Sequence, residues 1–266
     1  MSIEIKTVNT AKCGMDYFSF GSGKKTLVII PGLSVRSVML SAELIAKDYE
    51  LFSKDYTVYV FDRRNALPPR YTVREAAEDT AAAMRALGLN NVCLFGTSQG
   101  GMISLLIAAG FKGLVSKLAL GSACAKVTRT GITCIGRWID LAKSGNGREL
   151  YLDFGEKIYP REVFENYKKA FAMLGESLTD EELERFIILA SGTEDFSAVE
   201  AIPAIECPVL ALCAEDDAVL GREAGEELIS AFSGKSGFSH YTYDGYGHAA
   251  FDTAPGYKQR LFDFFA

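Results

Sequence analysis

The chain has 266 residues, 48% of them hydrophobic, with 28 Lys and Arg against 34 Asp and Glu and a formal net charge of −6. This is the composition of a soluble globular protein, and it excludes collagen-like, low-complexity and wholly disordered chains. The acidic balance without a long basic run lacks the footprint of a nucleic-acid binder, and no apolar run approaches the roughly 18 residues of a membrane-spanning helix. Met1 to Thr10 lacks the basic start, apolar stretch and cleavage site of a secretory signal. Six scattered cysteines, Cys13, Cys93, Cys124, Cys134, Cys207 and Cys213, form no C-x-x-C pair. The expectation is a cytoplasmic protein with reduced, mostly buried thiols and one large α/β domain.

Ile3 to Val8 and Met15 to Phe20 read as two short strands, most simply an antiparallel hairpin at a sheet edge. Leu27-Val28-Ile29-Ile30 is a buried strand ended by Pro31-Gly32, Val38 to Phe52 has helical spacing, and Thr57 to Phe61 is the next strand. Thr72-Val73-Arg74-Glu75 has the form of a capping box, and Val73, Ala77, Thr80, Met84 and Leu87 follow at steps of four and three before Gly88. A helix is predicted there. Asn91 to Phe95 is a strand, Gln99 to Ala109 a helix apolar on nearly every side, and Lys117 to Leu120 another strand.

From about Lys126 to Val199 the strand pattern stops, and four helices are predicted near 131–144, 147–158, 160–174 and 179–190. Pro160 suits a first helical position, and Thr179-Asp180-Glu181-Glu182 is a second capping box. The β-α pattern resumes with a strand at Val209 to Cys213, a helix near Arg222 to Phe232, a strand at Phe238 to Tyr243 and a C-terminal helix ending Leu261-Phe262-Asp263-Phe264-Phe265. The alternation predicts an α/β fold with a mostly parallel sheet. Residues 1–125 and 200–266 would form its core and 126–199 an inserted helical cap.

Gly96-Thr97-Ser98-Gln99-Gly100 is a G-x-S-x-G sequence. The bare form arises by chance in roughly one such chain in six. Here it follows a predicted strand and opens a predicted helix, the setting of a nucleophile elbow, where a tight and strained turn requires small neighbours. A serine hydroxyl is a weak nucleophile at neutral pH and needs a base in reach and an acid behind that base. The chain has two histidines. His240 lies within the strand Phe238 to Tyr243 and reads as an ordinary strand side chain. His248 ends the loop Gly245-Tyr246-Gly247-His248 between the last strand and the last helix, where loops carry function. The acid is expected where the strand 209–213 ends, because site residues of open α/β sheets gather at strand carboxyl ends. Glu215, Asp216 and Asp217 all stand there, and Asp217 is favoured.

From Leu27 to the C-terminal helix, on these elements, the sequence resembles the α/β-hydrolase superfamily, whose triad follows the chain order Ser, Asp or Glu, His. The resemblance implies an oxyanion hole made by the N–H of Gln99, after the nucleophile, and that of Leu33 in Pro31-Gly32-Leu33-Ser34. Pro31-Gly32 stands where many members have His-Gly, and Asp62-Arg63-Arg64-Asn65 only partly matches their Asp-x-Arg-Gly stretch. The implied activity is cleavage of an ester, thioester, lactone or similar acyl substrate through an acyl-enzyme on Ser98. The same apparatus serves C–C bond hydrolysis, acyl transfer and perhydrolysis, and a non-catalytic ligand receptor with this fold is the reading from another class.

Relatives that attack carbon with a carboxylate carry Asp at the elbow, where this chain has Ser98. No cofactor and no metal are expected: His240 and His248 do not match the usual ligand spacings, and Gly100-Gly101 lies in no phosphate-loop motif. The aromatic residues of the helical block read mostly as lid core, with Trp138 either packing there or lining an apolar substrate pocket. Arg63 and Arg64 could meet a substrate carboxylate, though a structural salt bridge or a solvated loop accounts for them better. The expected partner is a small, partly apolar acyl substrate.

Overall fold

One eight-stranded sheet organises the computed structural model, which describes residues 3–266. Met1 and Ser2, grouped above with the core and with the N-terminal stretch, lie outside the described residues. Strands β1 (Ile5–Asn9) and β2 (Gly14–Phe20) form the antiparallel hairpin at one edge, and β2 pairs antiparallel with β4 (Tyr56–Arg64). From β4 onward, through β3 (Lys25–Ile30), β5 (Val92–Thr97), β6 (Val115–Gly121), β7 (Val209–Ala214) and β8 (Phe238–Tyr243), neighbours are parallel. The spatial order is β1-β2-β4-β3-β5-β6-β7-β8. Every residue of β5 and β7 is buried, as expected of parallel strands covered on both faces.

Successive side chains serve opposite layers, which is the period-two geometry of a strand. Val28, Ile30 and Leu94 pack with α2 (Val73–Ala86) and α3 (Gln99–Gly110). Leu27, Ile29, Cys93 and Phe95 pack on the other face, with α1 (Ala42–Asp48) and the C-terminal helix Tyr257–Phe265. Helix α3 is buried from Gln99 through Ile107, which explains why it is apolar all round. The capping box at Thr72 forms as the sequence predicts, with Thr72 and Glu75 bonded reciprocally.

Between β6 and β7 lie the four helices α4 (Arg129–Lys143), α5 (Gly147–Ile158), α6 (Arg161–Glu176) and α7 (Asp180–Ser191). The two ends of this excursion are laced together by Val127 N–H to the Phe196 carbonyl (3.1 Å) and Ala198 N–H to the Ala125 carbonyl (2.7 Å). After the excursion come a 3₁₀ turn at Ile202–Ala204 and the helices α8 (Arg222–Ala231), α9 (Ala250–Thr253) and α10 (Tyr257–Phe265).

Two local expectations are corrected. The single helix read over Val38 to Phe52 is α1 flanked by 3₁₀ turns at Val38–Ser41 and Glu50–Phe52. Ser37 caps the first turn, Tyr49 leaves helical geometry at φ −103° and ψ 20°, and the pieces together bury Met39, Ala42, Tyr49 and Phe52. Apolar spacing is the same for a continuous helix and for consecutive turns, so periodicity alone does not separate them. Pro160 stands one place before α6 with extended ψ of 146°, and its carbonyl accepts from Phe164 N–H (2.9 Å).

In spatial terms the chain runs from β3 to β4 on one side and reaches β5 on the other. The loops that leave β3 and β5 therefore part company at the carboxyl edge of adjacent strands, where open α/β sheets hold their ligands. Among the described residues no helix is long and apolar enough to cross a membrane.

Candidate active site

Strand β5 ends at Thr97 and α3 begins at Gln99, so the turn between them is Ser98 alone. Its backbone sits at φ 50° and ψ −122°, a region costly for a residue with a Cβ. Bonds on both sides hold it there: Ser98 N–H donates to the Gly121 carbonyl of β6 (2.8 Å) and the Ser98 carbonyl accepts from Met102 N–H (3.1 Å). The flanking glycines are required by close approach. A Cβ on Gly100 would lie on the carbonyls of Ile30 and Pro31, and one on Gly96 would strike the Gly100 carbonyl and the Ser104 hydroxyl. Any larger residue at either place would push α3 off β3 or open the turn.

The three acids after β7 have different partners. Asp217 is buried, 8% exposed, and its Oδ1 accepts from the N–H groups of Val219 and Leu220, both at 2.8 Å. Its Oδ2 lies 2.7 Å from Nδ1 of His248, which is 3% exposed. Asp216 is exposed and accepts from Gly247 N–H through both oxygens (3.1 and 3.0 Å), which ties the end of β7 to the residue preceding His248. Glu215 pairs with Arg222 at 2.5 Å. A carboxylate at Nδ1 selects the imidazole tautomer with its proton there and leaves Nε2 as the free base. His240, by contrast, is an exposed side chain of β8 stacked on Phe238.

Ser98 and His248 line one cavity of about 310 Å³. Pro31, Gly32, Leu33 and Ser34 form part of the same wall, and a Cβ on Gly32 would come within 3.2 Å of the Ser98 Cβ. Gln99 N–H is one of the orphan donors at the start of α3. No acceptor for it or for Leu33 N–H is found among the described residues.

The side chain of Gln99 is engaged elsewhere. Its Nε2 donates to the Leu189 carbonyl (2.8 Å) and the Thr193 hydroxyl (2.9 Å) at the end of α7. Its Oε1 accepts from Arg63 Nη2 (3.1 Å), which also donates to the Pro31 carbonyl (2.8 Å). Arg63 is 4% exposed, and burial lowers its guanidinium to about 10 against the opposing pull of Asp62. It stays protonated at neutral pH and does not line the cavity. Asp62 accepts from Arg185 of α7 (2.6 Å) and from the Ser37 hydroxyl (2.5 Å), while Arg64 pairs with Asp79. Helix α7 is thus bonded to the end of β4 through Asp62 and to the first residue of α3 through the Gln99 side chain.

Trp138 packs within the helical block and also faces the cavity. It is 2% exposed, donates from Nε1 to Asp153 (2.9 Å), packs against Phe154 with centroids 4.6 Å apart and ring planes tilted by 46°, and lines the cavity. Motif reading does not find the other walls: Val38, Ile45 and Tyr49 from the broken helix after β3, Val219 after the acid, and Phe251 and Asp252 after His248. Among the described residues no three His, Cys, Asp or Glu side chains converge as a metal site. The arrangement offers a hydroxyl on a strained turn, a buried base with its orienting carboxylate, and unpaired amides beside them. These are the parts needed for nucleophilic acyl chemistry.

A family profile described as "Alpha/beta hydrolase family" matches residues 27–257. A search of curated proteins gives no match. Among solved structures, an alpha/beta hydrolase enzyme, MGS-M2, from a Medee basin deep-sea metagenome library superposes with a TM-score of 0.86. It is 20% identical over 98% of this chain and 97% of that one. An enol-lactonase from Burkholderia xenovorans LB400 gives 0.81 at 17% identity, covering 97% of this chain and 99% of that one. An esterase from Exiguobacterium antarcticum gives 0.79 at 21% identity, covering 98% of each. At these identities the likeness is one of fold.

Proposed function

Because the chain belongs to the alpha/beta hydrolase family, we propose that it is a serine hydrolase that cleaves an ester, thioester, lactone or similar acyl substrate through an acyl-enzyme on Ser98. The observation that carries this reading is the buried His248–Asp217 pair opening on the cavity that Ser98 also lines.

In this reading His248 Nε2 takes the Ser98 proton as Oγ attacks the acyl carbonyl, and Asp217 stabilises the imidazolium. The N–H groups of Leu33 and Gln99 bind the negative oxygen of the tetrahedral intermediate. The imidazolium then protonates the departing alcohol or thiol, leaving the acyl group on Ser98. Water, deprotonated by His248, attacks that ester, and the acid leaves with the serine regenerated. Trp138 and Phe154 supply apolar wall for the substrate, and α4–α7 act as a cap over it. Arg63, joined to the Pro31 carbonyl and the Gln99 side chain, keeps the two amide donors in register.

The test is turnover of short and medium chain p-nitrophenyl esters by wild type, Ser98→Ala and His248→Ala. Each variant is expected to fold and to lose at least about 10³-fold in kcat/KM. Equal activity in His248→Ala and wild type contradicts the reading. Absence of turnover in a folded wild type points instead to ligand binding without chemistry.

A further inference from the structure

The cavity shared by Ser98 and His248 has an uneven charge. Apart from the ionisable His248, the one acidic or basic side chain among its described lining residues is Asp252; the rest are apolar, aromatic or hydroxyl-bearing. Asp252 is on α9, one turn beyond His248, and is exposed at the cavity rim. Its Oδ2 accepts from the Tyr159 hydroxyl (3.3 Å), and no donor to Oδ1 is found among the described residues. One carboxylate oxygen is therefore left for solvent or a ligand.

Nearby charges do not cancel it. Lys258 is the adjacent cation, and its Nζ is held by Asp48 (2.7 Å) and the Phe251 carbonyl (2.5 Å). Burial pushes the Asp252 carboxyl up to about 6, against the opposing pull of Lys258, so at pH 7.5 it is still mostly ionised, and beside the Asp48–Lys258 pair that end of the cavity keeps one net negative charge. Among the described lining residues a substrate carboxylate entering the cavity meets no guanidinium or ammonium, and Arg63 is committed behind the Pro31 loop.

We propose, on the serine-hydrolase reading above, that Asp252 is a specificity-determining residue: the site favours acyl substrates bearing a cationic, ammonium-type group, accepts neutral ones, and disfavours those bearing a carboxylate. The physical basis is Coulombic. A unit charge several ångströms from Asp252 in a partly dewatered cleft changes binding by about tenfold in either direction, and added salt weakens the effect.

Two sets of three esters test this at pH 7.5 and low salt. One set ends the acyl chain in a trimethylammonium, tert-butyl or carboxylate group, and the other places the same three groups on the alcohol. In at least one set the wild type is expected to order kcat/KM as cation, neutral, anion, with about a hundredfold between the extremes. Asp252→Asn is expected to compress that ratio to within about threefold, whereas a merely structural disturbance lowers all three rates together and leaves the ratio in place. An unchanged ratio in Asp252→Asn, or a wild-type preference for the carboxylate esters in both sets, overturns the inference while the hydrolase reading stands. If the tert-butyl esters are not turned over and a fluorophosphonate leaves Ser98 unmodified, the hydrolase reading falls and this inference falls with it.

Discussion

Glu215, Asp216 and Asp217 are adjacent in sequence yet differ in work because the turn after β7 points them apart. Only Asp217 faces inward, where two backbone amides fix its carboxylate against His248. Asp217→Asn is expected to lower kcat/KM on a neutral ester by roughly 10³ to 10⁴. Asp216→Asn, which loosens only the bond to Gly247, should cost about tenfold or less; the opposite ranking would move the orienting role to Asp216. The cysteines give a second residue-scale prediction. Burial pushes Cys124 far up and Cys134 and Cys213 up to about 12, with the charge of Asp217 adding to it, and burial raises Cys93 as well. A raised thiol stays protonated, so it reacts slowly at neutral pH. Brief alkylation with iodoacetamide should therefore mark half-buried Cys13 first, with Cys207 behind it because burial raises that thiol too. Rapid labelling of Cys124 in native protein, read by peptide mass mapping, would contradict this packing.

At the scale of elements, α7 is the clamp between the helical excursion and the sheet. Arg185 reaches Asp62, Gln99 reaches the Leu189 carbonyl and Thr193, and Arg36 from the loop after β3 binds Glu182 and the Ser177 carbonyl. Arg185→Ala leaves the nearly buried Asp62 without its cation and should cost about 2–4 kcal/mol in urea unfolding. A loss under about 0.5 kcal/mol would show that α7 is not held this way. These elements were legible where the signal was local: both capping boxes form, and α4–α7 fall close to their periodic segments. Boundaries failed where a local signal has two solutions. Val38 to Phe52 has apolar spacing that consecutive 3₁₀ and α turns satisfy as well as one helix, and Pro160 serves before α6 as readily as inside it.

On the scale of the whole molecule, the fold brings together segments that share no sequence pattern. Ser98 and its flanking glycines are legible because the elbow is contiguous, and His248 because histidine is scarce. The cavity walls are not legible in that way. Tyr49, Trp138, Val219 and Asp252 come from four separate stretches, and only the sheet order sets them around one space. The same holds for Arg63, whose place behind the Pro31 loop depends on β3 and β4 being parallel neighbours. The chemistry assigned to the molecule rests on Ser98 being activated by His248, and the most direct measurement of that is reaction with a fluorophosphonate followed by intact and peptide mass. A single adduct on Ser98 in wild type, absent in Ser98→Ala and formed at least about a hundredfold more slowly in His248→Ala, is the expected result. Modification elsewhere, or an undiminished rate in His248→Ala, would contradict the account.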